Sequence, residues 1–306
     1  MLPRAAHRAA LLLPVLGIRP RLFSAMATPP QSFQLDRSIF NQSLYDDLRS
    51  FWFEGLPEGS TSAPISLLQR WWGFNRTEEE KAAFDDECRT RYGPALESIG
   101  PSRLSLPPFK SFDDDVGQAS VISAPFLRDV KEAKQESGMK AADIMLSMVI
   151  LLDQMPRQIY RDAAGLRLVY GHYDRLIFSL MRSCLTMNPS PIDHEAWKGK
   201  PVFKTWILMP FIHAEHAPTH QIHLAKIQKL RKECEESEDE DALSYCEKAE
   251  KAGVEHREPV EKFGRYPHRN ECLGRKSTPE EDEYLRTANT FGVKQSQKQP
   301  EQRDEL

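Results

Sequence analysis

The spacing of apolar residues between Tyr173 and Leu185 places the strongest constraint on the fold. The apolar side chains recur at steps of three and four residues: Leu176, Ile177, Leu180, Met181, Cys184 and Leu185. Such spacing puts them on one side of an α-helix, and Asn188-Pro189 is expected to end that helix. No segment alternates for long with a period of two. The sequence therefore predicts an all-α protein of stacked helix pairs, in one domain from about residue 36 to 292.

A second helix is predicted over residues 139–155, where apolar side chains surround the helix on every side. The run from Ile144 to Leu152 is interrupted only by Ser147. A helix that is apolar all round is buried inside a protein. The run is too short to cross a membrane, so we expect no membrane span.

The clearest helix start is at Thr278, which is followed by Pro279 and Glu281. Threonine at the N-cap with glutamate three residues later forms a capping box, and proline is favoured at the first helical position. An inner face of Tyr284, Leu285, Ala288 and Phe291 is predicted for this helix, which is expected to end at Gly292.

The charge balance argues against nucleic acid as a partner. The chain has 306 residues, with 41 Lys and Arg against 45 Asp and Glu. The first 35 residues contain four arginines and no acid, so 37 bases face 45 acids in the remainder. Nonspecific binding of nucleic acid requires a broad basic surface, which such a body lacks. The five cysteines are widely spaced and have no zinc-ligand spacing, so neither a metal nor a cofactor is predicted.

Both ends of the chain resemble targeting signals. Residues 1–25 are rich in arginine and alanine and contain no acid, which is typical of a mitochondrial presequence. Two alternatives remain open. Met26 as a second start predicts a cytosolic form, and Ala25-Met26-Ala27 with the terminal Arg303-Asp304-Glu305-Leu306 is compatible with the endoplasmic reticulum.

Two further segments are predicted to be peripheral. Residues 233–241 contain seven acids in nine positions, which favours a solvated acidic insertion. Residues 293–306 are rich in Gln and Lys, have no apolar face, and are predicted to be a disordered tail.

Three groups of polar residues are candidates for a functional site. Asp153, Arg157 and Arg161 follow directly after the buried helix. His213 and Glu215 follow the apolar run from Trp206 to Met209 and are of the types that transfer protons or bind metals.

The third group lies between Phe263 and Glu281, where cations alternate with turn-forming glycine and proline. Its cations are Arg265, His268, Arg269, Arg275 and Lys276. Arginine forks bind carboxylates and phosphates, so a shaped loop of this kind indicates an anion site. The alternative is an internal ion-pair network, because such networks use the same residue types.

Four histidines also recur at steps of three and four residues: His213, His216, His220 and His223. On one continuous helix they would form a metal-binding stripe. Pro218 interrupts that helix, so ordinary surface histidines near a helix N-terminus are the preferred interpretation.

Several segments together resemble one family, the proteins known as domain of unknown function 924. The resemblance rests on these blocks: Phe51-Trp52-Phe53, Trp71-Trp72, Leu151–Arg157, Tyr160-Arg161, Met209–Glu215, His256, Phe263–Asn270, Leu273–Arg275 and Ser277–Glu281. It covers about residues 45–291 and implies a tetratricopeptide-like α-α superhelix. It implies no activity. The chain departs from the family pattern at Val169–Arg175, and the acidic stretch 233–241 resembles an insertion.

These observations lead to one hypothesis and two alternatives. The hypothesis is a pocket that binds an anionic small molecule, lined by Asp153, Arg157, Arg161, His213, Glu215, His256, Arg265, His268, Arg269, Asn270 and Arg275. The first alternative is a helical-repeat adaptor that binds a peptide or a protein partner. The second is a hydrolase or transferase in which His213 and Glu215, or His268, transfer protons. Whether the protein is an enzyme, and its oligomeric state, are left open by the sequence.

Overall fold

The computed structural model describes residues 33–291 and 293. From Gln34 onward these residues form one compact unit in which every regular element is helical. The helices are α1 Gln42–Trp52, α2 Ile65–Trp72, α3 Glu78–Ser98, α4 Phe112–Gly117, α5 Ala119–Ile122, α6 Ala124–Glu136, α7 Gly138–Val149, α8 Met155–Ile159, α9 Ala163–Leu168, α10 Asp174–Leu185, α11 Pro201–His213, α12 Ala217–Glu236, α13 Glu240–Phe263 and α14 Pro279–Leu285. The predicted all-α class is confirmed, and the tetratricopeptide-like superhelix stays a prediction.

Five shorter elements join these helices. Two are π-helical turns, Ile150–Gln154 and Val169–Tyr173, and three are 3₁₀ turns, Pro191–Asp193, Glu195–Trp197 and Pro267–Arg269. None of the described helices is long and apolar enough to cross a membrane.

Helices α7 and α11 form the centre of the molecule. Every residue from Ile144 to Pro156 and from Trp206 to Ile212 is buried. The two helices contact each other, and α11 also packs against α10, α12 and α13. Because both helices are apolar all round, burial in the middle of the bundle is the arrangement that removes their whole surface from water.

Aromatic side chains fill the space between α1, α2 and α11. The indole of Trp206 packs edge-on against Trp52 and Trp71, with ring centroids 5.1 and 4.9 Å apart. Phe51 stacks on Phe84 of α3 at 5.8 Å. Trp52 and Trp71, two tryptophans that carry the family resemblance, therefore build the core, whereas Trp72 is half exposed.

Two predicted helix boundaries are informative. The helix predicted from the pattern after Tyr173 is α10, and the capping box at Thr278 is present with both of its hydrogen bonds. The predicted end of α14 at Gly292 is wrong, because the helix ends at Leu285 and a turn follows it.

The acidic stretch 233–241 forms the connection between α12 and α13. Asp239 is the N-cap of α13 and accepts a hydrogen bond from the amide of Ala242 at 2.9 Å. Acids near a helix N-terminus are stabilised by the helix dipole, which accounts for several of them. The predicted presequence of residues 1–25, and the predicted tail except Val293, lie outside the described residues.

Candidate functional site

Asp153 is positioned by the π-helical turn that follows α7. Its side chain is completely buried. Proline at position 156 lacks an amide hydrogen, and its ring conflicts with the carbonyl four residues earlier. A wider turn over Ile150–Gln154 removes that conflict, and single π-turns of this kind are frequent at functional sites.

His213 ends α11 and directly faces Asp153. Its Nδ1 lies 2.8 Å from Oδ1 of Asp153 and 3.3 Å from Nε of Arg157. Nε of arginine always carries a hydrogen, so Nδ1 of His213 acts as an acceptor. Burial raises the pKa of Asp153, and burial, followed by the charge of Arg157, lowers the pKa of His213 well below its usual value. Both shifts favour the uncharged form of each side chain.

Asp174 joins two arginines that are distant in sequence. Its Oδ1 accepts a hydrogen bond from an Nη of Arg157 at 2.8 Å, and its Oδ2 lies 3.6 Å from an Nη of Arg269. Asp174 is the first residue of α10, directly after the second π-helical turn. One buried carboxylate therefore lies between two guanidinium groups.

Arg269 is held mainly by aromatic rings. Its guanidinium carbon lies 4.2 Å from the ring centroid of Tyr170 and 4.5 Å from that of Tyr266. Only 7% of its side chain is exposed, and its Nε has no hydrogen-bond acceptor within the described part of the chain. Stacking on two tyrosines fixes the plane of the guanidinium while leaving its edge without a complete set of acceptors.

Glu215 and Arg275 anchor the loop that carries Arg269. The two nitrogens of the Arg275 fork donate to the two carboxylate oxygens of Glu215 at 2.6 and 2.8 Å. The amide of Tyr266 also donates to Glu215 at 2.9 Å. Burial alone would raise the pKa of Glu215, but the hydrogen bond from Arg275, the charges of Arg269 and Arg275 and the hydrogen bond from the Tyr266 amide together lower it. Glu215 therefore stays charged, and the hydrogen-bond partner of His213 is Asp153 instead.

Arg265 and Asn270 fasten the other side of the same loop. Arg265 donates to both oxygens of Glu281 at 2.6 and 2.8 Å, and Asn270 donates to Glu281 at 3.2 Å. Glu281 is the capping-box residue of α14, so the N-terminus of that helix clamps the loop. These two predicted site residues have a structural role here.

Two further predicted residues, His256 and His268, lie beside the cluster. The ring of His256 is 6.0 Å from that of His213, and Phe291 stacks on His256 at 3.9 Å and lies 5.4 Å from His268. Nδ1 of His256 donates to the carbonyl of Ala252 at 2.7 Å, so its Nε2 is an acceptor in the neutral ring. Burial lowers the pKa of His256 to about 3 and that of His268 to about 2. Both rings are neutral near pH 7.

Arg161 is the predicted site residue that lies elsewhere. It forms a two-pronged ion pair with Asp85 of α3, and 56% of its side chain is exposed. The helix does resume after Pro156, but it ends at Ile159, so Arg157 and Arg161 do not share a helical face.

The predicted surface histidines are also placed differently. His216, His220 and His223 are all buried, which contradicts their prediction as surface residues. Pro218 starts α12 and puts His220 and His223 on that helix, packed toward α13. Among the described residues, no group of three or more His, Cys, Asp or Glu side chains is arranged to hold a metal ion.

Two surface grooves in the described part of the chain lie apart from the cluster. A groove of about 530 Å³ lies between α2 and α3 and includes Arg70, Arg76 and Glu80, and one of about 180 Å³ lies near Lys204 and Lys226. Neither groove is lined by a predicted site residue. Buried, incompletely paired polar atoms are a stronger indication of chemistry than an open groove lined by solvated charges, so we place the candidate site at the cluster.

Sequence reasoning missed Asp174, Tyr170 and Tyr266 as members of the site. Tyr170 and Asp174 fall in the stretch where the chain departs from the family pattern, and that departure was an available signal. A second signal was that the predicted site residues include more arginines than acids. A buried guanidinium requires a counter-charge, so a further acid such as Asp174 was to be expected in the site. We name Asp153, Arg157, Asp174, His213 and Arg269 together the arginine–aspartate cluster.

Comparison with known proteins supports the predicted resemblance. A family model described as bacterial proteins of unknown function, DUF924, matches residues 48–289. Among solved structures, a protein of unknown function from Agrobacterium tumefaciens is 23% identical, covers 82% of this chain and 98% of its own, and has a TM-score of 0.43. No curated protein matches the chain. All of the predicted site residues lie within the matched range, and the family prediction is confirmed.

Proposed function

This chain belongs to the DUF924 family of bacterial proteins of unknown function, and from its own side chains we propose that it binds a small anionic molecule at Arg157 and Arg269. The observation that carries the proposal is the state of these two guanidinium groups. Nε of Arg269 and one Nη of Arg157 are buried and have no acceptor among the described residues. Buried hydrogen-bond donors are nearly always paired in native proteins, so an anion that accepts from both is the natural complement.

The charges of the cluster support the same proposal. Arg157 and Arg269 both lie beside the carboxylate of Asp174, and Arg157 also lies 3.5 Å from Asp153, whose pKa is raised by burial. Two guanidinium groups therefore compete for carboxylates in a buried place. An isolated buried charge is costly, and an anionic ligand removes that cost.

Neither alternative function has an observation of this kind. A peptide-binding adaptor is expected to present aromatic side chains in an open groove, but Trp52, Trp71 and Trp206 pack against one another in the core, and the half-exposed Trp72 stacks on Trp206. Proton transfer by His213 and Glu215 requires the two to act together, and Glu215 is occupied by Arg275 and Tyr266.

The test is binding of defined anions to the full chain. Inorganic phosphate, sulfate, lactate and propionate are titrated at constant ionic strength, and both heat of binding and melting temperature are recorded. We expect at least one of them to bind and to raise the melting temperature, because ligand that binds only the folded state stabilises it. Arg269→Gln should weaken that binding at least about tenfold, since a charged hydrogen bond contributes roughly 1.5–3 kcal/mol.

The matched control is Arg161→Gln, which removes the same charge from an exposed ion pair outside the cluster. Its affinity for the anion should stay within about twofold of the wild type. Equal weakening by both variants, or the absence of binding by every anion, contradicts the proposal.

A further inference from the structure

Within the described part of the chain, the arginine–aspartate cluster contains an acceptor without a hydrogen bond as well as donors without one. Oδ2 of Asp174 is buried and has no hydrogen bond within the described residues, and its nearest cation, an Nη of Arg269, is 3.6 Å away. Oδ1 of the same carboxylate accepts a hydrogen bond from Arg157 at 2.8 Å. Among the described residues, the two arginines beside this carboxylate therefore have N–H groups without acceptors, and its second oxygen has no hydrogen-bond donor.

An anion that only accepts hydrogen bonds does not complete this arrangement. Such an ion would satisfy the free N–H groups of Arg157 and Arg269, but it would bring its own lone pairs toward Oδ2 of Asp174. Two acceptors in contact repel each other, and a buried acceptor left unpaired costs about 1–3 kcal/mol. An anion that also carries an O–H group can donate to Oδ2 while it accepts from the arginines.

We propose that the ligand is an oxyanion that carries its own hydroxyl donor, as hydrogen phosphate, a singly protonated phosphate monoester and a 2-hydroxy carboxylate do. This inference rests on the proposed function, because it specifies the chemistry of the anion bound at the same site. Asp174 is the residue that selects the ligand, since it rejects an oxyanion without a hydrogen and accepts one with it. A site that pairs a substrate hydroxyl with a buried acceptor discriminates strongly against analogues that lack the hydroxyl.

The neutral residues around the cluster are consistent with this selection. His256 has its Nδ1 hydrogen on the carbonyl of Ala252, so its Nε2 is a second acceptor near the site.

The experiment compares pairs of anions that differ in the hydroxyl donor. Phosphate and sulfate have the same tetrahedral shape, but at pH 7 phosphate carries an O–H and sulfate does not. Lactate and propionate form a second pair among carboxylates, and this pair tells a phosphate ligand from a hydroxy acid. In calorimetric titrations of the wild-type full chain, we expect the donor-bearing member of at least one pair to bind at least tenfold more tightly.

Asp174→Asn gives the second measurement. Asparagine offers an N–H to an oxyanion, so the preference within the pair should fall to about twofold or less as the donor-free anion gains affinity. The matched control Asp85→Asn changes a carboxylate of the ion pair with Arg161 outside the cluster, and it should leave the tenfold preference intact. Circular dichroism verifies that each variant is folded. If Asp174→Asn does not fold, the affinity ratio within each anion pair, measured on the wild type, tests the inference by itself.

The outcomes separate this inference from the function on which it rests. If the anions bind but the members of both pairs bind equally, the inference is overturned and the anion site remains. If Asp174→Asn is folded and keeps the full preference, Asp174 does not select the ligand, and the inference is overturned as well. If no anion binds at all, the proposed function fails together with it.

Discussion

Glu281→Gln is the substitution whose effect on stability can be worked out most fully from the structure. Only 2% of the Glu281 side chain is exposed, and its carboxylate accepts four hydrogen bonds. They come from Nε and an Nη of Arg265 at 2.6 and 2.8 Å, from the amide of Thr278 at 2.8 Å and from Asn270 at 3.2 Å. The substitution removes the charge while it keeps the size of the side chain.

The magnitude follows from the pKa of Glu281. The hydrogen bond from Arg265 is the main cause that lowers this pKa from 4.5 to about 2. At 1.36 kcal/mol per pH unit, that difference corresponds to about 3 kcal/mol of stability. Since the pKa is lower in the folded protein, the unfolded chain binds more protons in acid. The contribution is therefore complete above about pH 5 and is lost progressively as the pH falls toward 2.

The assay is urea unfolding of the wild type and Glu281→Gln at pH 7, 5, 4 and 3. We expect the variant to be less stable by about 3 kcal/mol at pH 7, and this difference to shrink by about 2 kcal/mol at pH 3, where the wild-type carboxylate takes up a proton when the chain unfolds. The matched control is Glu280→Gln on the same helix, whose side chain is 68% exposed and pairs with Lys262. It should change stability by less than about 1 kcal/mol. A difference between the wild type and Glu281→Gln that is the same at pH 7 and pH 3 would refute the reasoning.

Two further predictions concern packing and buried charge, and urea unfolding at pH 7 tests both. Gly253→Ala places a methyl carbon 2.4 Å from Cε1 of the buried His223, so we expect the free energy of unfolding to fall by about 1–3 kcal/mol. In the helical control Gly93→Ala, the added methyl carbon meets nothing nearer than 3.8 Å, so we expect the free energy of unfolding to rise by up to about 1 kcal/mol. Equal effects of the two substitutions would contradict this expectation. Asp115→Asn leaves the guanidinium of Arg175 buried without its bidentate partner, because the exposures of these side chains are 1% and 7%. The expected loss is about 3–5 kcal/mol, and a loss below about 1 kcal/mol would show that the pair is not buried as described.

Helix periodicity and capping chemistry made much of the fold predictable. The pattern after Tyr173 and the capping box at Thr278 are local signals, and both correspond to real elements. The end of α14 was not predictable from such signals. An apolar pattern continues to Phe291, but that side chain is used to stack on His256 instead of extending the helix.

The candidate site was predictable in its parts but not in its pairing. The sequence indicated that Asp153, His213 and Arg269 belong to one site, but it paired His213 with Glu215. Which acid faces which base depends on distances between helices that no local pattern encodes. The buried state of His216, His220 and His223 was missed for a related reason, since histidine is compatible with both surface and interior.

The candidate site lies where each of the two central segments remains buried beyond its last apolar residue. In both central helices the apolar run stops while the chain is still inside the molecule, at Leu152 before Asp153 and at Ile212 before His213. A polar residue at such a point has little access to water, so a partner on another buried segment stabilises it. Because α7 and α11 pack against each other, the first polar residues after their apolar runs meet at 2.8 Å. Because the chain stays buried after its apolar residues end, the arginines of the cluster also lie there, beside the carboxylates that compensate their charge. Under the proposed function, a ligand would complete the hydrogen bonds that these side chains leave unmade.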